Sequence, residues 1–112
     1  DKALQGRSKV VNDAGVWAEY AEALGMAQGG KLAGEPLRLV QKALAIDARH
    51  AQALDLAGSA AWEVRDFAKA AMYWKRLLEQ IPVGEPRHAE LRLAVLRAEQ
   101  QARFAMPTDS AP

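Results

Sequence analysis

The sequence predicts an all-α fold of antiparallel helix pairs that stack into a right-handed superhelix, and three observations predict it. Half of the 112 residues are hydrophobic but only 6% are aromatic, a balance that suits closely packed helices better than sheets. Apolar residues recur at helical spacing along five stretches of the chain. The spacing also repeats, since Ala43 and Leu77 are 34 residues apart. We therefore expect repeated helical hairpins.

The first helix is predicted to follow a short segment without structure. Residues 1–12 mix charges with glycine and serine and show no sustained period, so we expect a poorly ordered segment or the remnant of a preceding repeat. Helical spacing then begins at Ala14, where Asn12 or Asp13 can serve as N-cap. This helix is predicted to end near Gln28.

The second helix is predicted to open on Glu35 and Pro36. An acid and a proline both suit a first helical turn, because the acid meets the positive end of the helix dipole and the proline lacks only a donor that is unpaired there. The pattern ends near Asp47. Compared with the second hairpin, the connection over residues 28–34 carries about three extra residues, which a loop accommodates at small entropic cost.

Three further helices complete the prediction. Helix three runs from Ala51 to Val64, and helix four runs from Phe67 to about Gln80, where a Pro-Gly segment interrupts it. The fifth stretch, residues 85–105, is amphipathic and is predicted to be a C-terminal capping helix. Residues 106–112 are predicted to be a disordered tail.

The stretch 51–82 fits, without a gap, the 34-residue pattern of a tetratricopeptide repeat. Residues 13–48 fit the same pattern as a first repeat with the loop insertion. The register predicts a set of core residues, which comprises Trp17, Leu24, Ala43, Leu54, Gly58, Ala70, Trp74 and Leu77.

Such repeats leave a concave surface that binds other polypeptides, lined by the first helix of each repeat. The register predicts as groove residues Ala18, Glu22, Met26, Gln52, Asp55, Ser59, Trp62 and Glu63. The predicted first helices of both repeats carry four acids and neither Lys nor Arg, whereas the second helices are net basic. We therefore hypothesise that an amphipathic, Lys-bearing helix lies in the groove.

A purely structural interpretation of these residues, without a role in binding, remains open at this point. Trp62 lies at a register position that borders the core and could pack on the capping helix, while Met26 could fill a gap between helices. The acids could form a solvated helix face.

The runs 24–36, 41–47, 53–58 and 66–78 together resemble the periplasmic repeat domain of CcmI/CycH-type cytochrome c biogenesis proteins and the related nitrite-reductase maturation factor. The resemblance covers residues 13–82. It implies capture of haem-free apocytochrome c, largely through its C-terminal helix, and delivery to the haem ligation machinery in the bacterial periplasm. Domains of that family usually carry more than two repeats, so the resemblance implies the binding mode and not a complete groove.

Composition argues against other classes of function. The formal charge of +1 is too small for a nucleic-acid face, and it does not indicate an anionic membrane as partner. The chain has no cysteine and two histidines, His50 and His88, without a partner at metal-ligand spacing. We predict no catalytic residue, no metal site and no cofactor, and therefore not an enzyme.

The chain begins at Asp1 and contains no signal-peptide pattern and no run of 18 apolar residues. We expect it to be a fragment, so any membrane anchor or export signal would lie outside it. The alternative function is a generic scaffold for another complex, or self-association into a homodimer through the end of the stack that carries Trp17. A regulatory appendage of an enzyme would need a catalytic domain outside this chain.

Overall fold

The computed structural model describes residues 12–105, and the regular structure within that range is entirely α-helical. The predicted all-α fold is confirmed. The helices are α1 (Ala14–Ala27), α2 (Glu35–Ile46), α3 (Ala51–Glu63), α4 (Phe67–Leu78) and α5 (Pro86–Ala105). The expectations for residues 1–11 and 106–112 fall outside the described residues.

Side chains that cap helix N-termini explain where three of the helices begin. Of the two residues predicted to cap α1, Asp13 does so, and its carboxylate accepts a hydrogen bond from the backbone N–H of Gly15 at 2.9 Å. Asp66 accepts from the N–H of Lys69 at 3.2 Å and caps α4. His50 caps α3 through Nδ1. These bonds satisfy donors that the first helical turn leaves unpaired.

Successive helices pack as pairs, α1 on α2 and α3 on α4, and the short connections make the two members of each pair antiparallel. Both α1 and α2 also contact α3, which joins the first pair to the second. Helix α5 packs mainly on α4, and its approach to α3 is looser. The order of the stack therefore runs from α1 at one end to α5 at the other.

Small side chains fill the core between these helices. Ala18 of α1 lies with Ala43 of α2 and Ala53 of α3 in one buried cluster, and Ala70 and Ala98 bring α4 and α5 together in another. Alanine at such contacts lets helix axes approach closely, and the packed interior leaves little room for larger residues. Five of the predicted core residues are buried, namely Ala43, Leu54, Gly58, Ala70 and Leu77, while Trp17, Leu24 and Trp74 are partly buried and pack against the core.

The loop between α1 and α2 is well organised. The Gln28 side-chain amide donates to the carbonyls of Lys31 and Ala33 at 3.0 and 3.2 Å. Leu32 is buried and packs against Gly25 of α1, where an added Cβ would lie 2.7 Å from the Leu32 side chain. The predicted insertion therefore folds back onto α1.

Candidate peptide-binding cleft

A cleft with a cavity volume of about 390 Å³ lies between α3 and α5. It exists because α5 packs on α4 and leaves its side towards α3 partly open. Its lining comes from three helices, with Ser59, Trp62 and Glu63 from α3, Trp74 from α4, and Ala94 and Arg97 from α5. The lining is mostly apolar with a few polar groups at its edge, which is the usual composition of a binding site.

Trp74 forms the floor of this cleft. Its indole lies directly on Gly58, where an added Cβ would be 2.2 Å from Nε1. Only glycine leaves space for this ring position, so the Trp74 side chain packs directly on the α3 backbone at residue 58. The Nε1–H is buried and has no hydrogen-bond partner among residues 12–105, which is uncommon for a buried donor.

Trp62 forms one wall of the cleft and is half-exposed, with 37% of its surface accessible. Its ring meets Phe67 edge to face with centroids 4.8 Å apart, and lies 6.0 Å from the ring of Trp74. These contacts hold the ring in place, while its remaining surface faces the cleft. The aromatic contacts of Trp62 are therefore with α4, and its contact with a peptide stays a prediction.

A second, smaller cavity of about 190 Å³ shares Trp74 and Ala94 with the first. Asp55 and Arg87 lie at this end and form an ion pair at 3.6 Å. Both side chains are about half-exposed, so solvent screens the pair and its contribution to stability is below about 1 kcal/mol. The two cavities together follow the α3–α5 boundary from Asp55 to Trp62.

Four of the predicted groove residues share one stripe along α3. Gln52, Asp55, Ser59 and Trp62 are spaced three or four residues apart, and none is fully buried. The Gln52 side chain donates to the carboxylate of Glu22 on α1 at 2.6 Å, which brings Glu22 beside this stripe. The acidic and aromatic residues of the predicted groove thus lie along the same side of the molecule.

Glu63 has a structural contact that the sequence did not reveal. Both carboxylate oxygens lie within hydrogen-bond distance of the backbone N–H of Leu32, at 3.0 and 2.8 Å. The contact ties the α1–α2 loop to the end of α3. No local pattern could have indicated it, because the two residues are 31 positions apart.

Four predicted groove residues line neither cavity. Glu22 and Gln52 bond each other beside the α3 stripe, whereas Ala18 and Met26 lie apart from it. Ala18 has no exposed surface and packs in the core beside Ala43 and Ala53. Its assignment to the groove was therefore wrong, because the side of α1 that carries Ala18 packs against α2 and α3. Met26 is 72% exposed on α1 and does not line the α3–α5 cleft.

Sequence reasoning missed the five α5 residues that line the two cavities, namely Arg87, Glu90, Leu91, Ala94 and Arg97. Ala94 and Arg97 line the cleft from α5, and Arg87 pairs with Asp55. We assigned α5 only a capping role, and the repeat register assigned Trp74 only to the core. The helical spacing of residues 87, 90, 94 and 97 could have indicated a common α5 face, but not its position beside α3.

The described residues contain no group of three or more His, Asp or Glu side chains that could hold a metal ion. Within the same range, no helix is long and apolar enough to cross a lipid bilayer.

Comparison with known proteins gives one informative similarity. The chain is 30% identical over 97 residues to the cytochrome c-type biogenesis protein CycH of Pseudomonas aeruginosa, and the match covers 87% of this chain. The same match covers 24% of the relative, so the chain spans about a quarter of that protein's length. No family model and no solved structure matches the chain.

Proposed function

We propose that this chain is a protein-interaction module of cytochrome c maturation that binds a helical segment of apocytochrome c in the α3–α5 cleft. The similarity to CycH, whose name states a role in cytochrome c biogenesis, extends over most of the chain. It supports a role of this chain in cytochrome c maturation. The observation that carries the binding role is the half-exposed Trp62 beside a cavity floored by Trp74. We infer a bacterial periplasmic location on the same similarity, which cell fractionation would test.

The dimensions of the cleft fit the apolar side of a helix. Its volume of about 390 Å³ is near the lower end of the range of about 300–1,000 Å³ for ligand sites. A few side chains fill such a volume, whereas the rest of a guest helix stays outside. Helix-in-groove recognition works in this way, through anchors spaced three or four residues apart. We assign the central anchor to the space between Trp62 and Ala94.

The charges along the cleft favour one orientation of the guest helix. Asp55 lies at one end beside Glu22 and Gln52, and Arg97 lies at the other end. Lysines of the guest would meet Asp55 and Glu22, replacing the screened contact of Asp55 with Arg87. Arg97 would face the C-terminal carbonyls or the terminal carboxylate of the guest helix, where a cation is favourable.

Calorimetric titration with peptides from the C-terminal helices of apocytochromes tests this function. Trp62→Ala is expected to weaken binding by about 2 kcal/mol or more, as loss of an aromatic anchor does. Val64→Ala is the matched control, since Val64 is 64% exposed and does not line the cleft. A peptide of the same composition in scrambled order controls for non-specific attraction.

Equal affinity of the wild type and Trp62→Ala would reject the cleft as the binding site. No binding by any apocytochrome peptide would reject the proposed partner. The generic scaffold would then be the better interpretation of the fold.

A further inference from the structure

Helix α5 carries a second apolar stripe on the side opposite the one that packs on α4. Its buried residues are Leu91, Val95 and Ala98, while Leu93 is 56% exposed, Leu96 46% and Phe104 83%. The exposed three fall on one side of the helix together with the exposed Ala89. A surface helix normally has one apolar stripe. The second one, which we name the α5 stripe (residues 89, 93, 96 and 104), therefore indicates a contact surface.

Arginines border the α5 stripe. Arg92 and Arg103 lie on one side of it and Arg97 on the other. Among the described residues none of the three forms an ion pair, whereas Glu99 is neutralised by Lys75 at 2.5 Å. The border is thus positively charged.

Helix α1, at the other end of the stack, has the complementary character. Val16 is 39% and Tyr20 54% exposed, and the exposed Ala23 and Ala27 continue the same side of the helix. We name these four residues the α1 stripe. Glu19 and Glu22 border it, and α1 contains neither Lys nor Arg.

We propose that copies of this chain associate head to tail, with the α5 stripe of one copy on the α1 stripe of the next. The α1 stripe spans eleven residue steps, from Val16 to Ala27, and the part of the α5 stripe from Leu93 to Phe104 spans the same number, which is roughly 16 Å along a helix. This part of the α5 stripe therefore matches the α1 stripe in length, and the bordering charges are opposite. The apolar residues of this contact lie outside the cleft, and Arg97 and Glu22 border both surfaces.

Charge also distinguishes this arrangement from a symmetric dimer. Two α5 stripes face to face would bring Arg92 and Arg103 of one copy towards those of the other, and two α1 stripes would do the same with Glu19. Like charges at such a contact oppose association. A heterologous contact avoids both repulsions and permits further copies to add.

Sedimentation equilibrium of the full chain tests the proposal. The average mass of the wild type is expected to rise above the 12.2 kDa of one copy as its concentration increases to about 1 mM. Tyr20→Lys disrupts the α1 stripe and Leu96→Glu the α5 stripe. Each variant alone is expected to associate at least about tenfold more weakly. Val83→Lys is the control, since Val83 is 81% exposed and lies on neither stripe.

Mixing the two variants gives the decisive result. Tyr20→Lys retains an intact α5 stripe and Leu96→Glu an intact α1 stripe, so the mixture is expected to form a species of two copies that grows no further. Circular dichroism of each variant checks that its helices are formed.

The sedimentation experiment has outcomes that would overturn the proposal. These are a wild type that keeps the mass of one copy throughout, variants that associate as the wild type does, or a mixture that stays monomeric. Association lost in one variant alone would show a symmetric dimer and would overturn it as well.

Discussion

The carboxylate of Glu63, at the end of α3, accepts a hydrogen bond from the backbone N–H of Leu32 in the loop that joins α1 to α2. The contact lies at the edge of the α3–α5 cleft, because Glu63 also lines that cleft. Glu63 therefore connects the loop of the first helix pair to the edge of the candidate site.

Removal of this acid is expected to destabilise the fold. Glu63→Ala leaves the Leu32 N–H without its charged acceptor, and loss of such a partner costs about 1–3 kcal/mol. Urea unfolding followed by circular dichroism measures the change. Glu79→Ala is the control, since Glu79 is exposed and its side chain forms no ion pair or hydrogen bond within the described part of the chain. Equal stability of both variants would contradict a structural role for Glu63.

A methyl group at residue 58 is expected to disturb the cleft floor. Gly58→Ala places a Cβ 2.2 Å from Trp74 Nε1, and overpacking of this kind costs about 1–3 kcal/mol, against which helix propensity returns about 1 kcal/mol. The double variant Gly58→Ala/Trp74→Leu relieves the overlap. A double-mutant cycle is therefore expected to show coupling between the two sites. Additive effects would mean that the ring does not lie on Gly58.

Ala70 provides a similar test at the α4–α5 contact. It has no exposed surface and lies in a buried cluster with Ala61, Ala71 and Ala98, so Ala70→Leu is expected to lower the free energy of unfolding by about 1–3 kcal/mol. Ala68→Leu on the same helix is the control, since Ala68 is exposed. Thermal unfolding of both variants gives the comparison, and a tolerated Leu at residue 70 would show that α5 is loosely packed.

Arg87 is expected to compete with a lysine-bearing guest. Because Arg87 pairs with Asp55 at 3.6 Å, Arg87→Gln leaves the Asp55 carboxylate free for the guest and raises peptide affinity roughly threefold. Stability changes little, since the pair is exposed. Arg76→Gln on α4 is the control for net charge in the calorimetric titration. A fall in affinity would mean that Arg87 itself contacts the guest.

The helices and much of the core could be predicted from the sequence, because both depend on local spacing. Asp13 and Asp66 cap the helices that follow them, and such bonds span two or three residues. Leu54 and Leu77 are buried where the register predicted core residues.

The cleft could not be predicted in this way. Its existence depends on how closely α5 approaches α3, and residue spacing contains no information on the distance between helices. The Glu63–Leu32 bond likewise joins distant parts of the chain. Ala18 is a residue for which the register gave the wrong surroundings. Its position is typical of a groove, but it is buried because α1 packs against both α2 and α3.

The buried N–H of Trp74, which has no hydrogen-bond partner among the described residues, makes this indole an intrinsic fluorescent probe. An indole that is shielded from water and lacks an acceptor emits at shorter wavelength than one that solvent can reach. Because the Trp74 N–H is buried whereas Trp62 is 37% exposed, Trp74 is expected to emit at shorter wavelength than Trp62. Any occupant of the space between them would shift the Trp62 emission towards the blue.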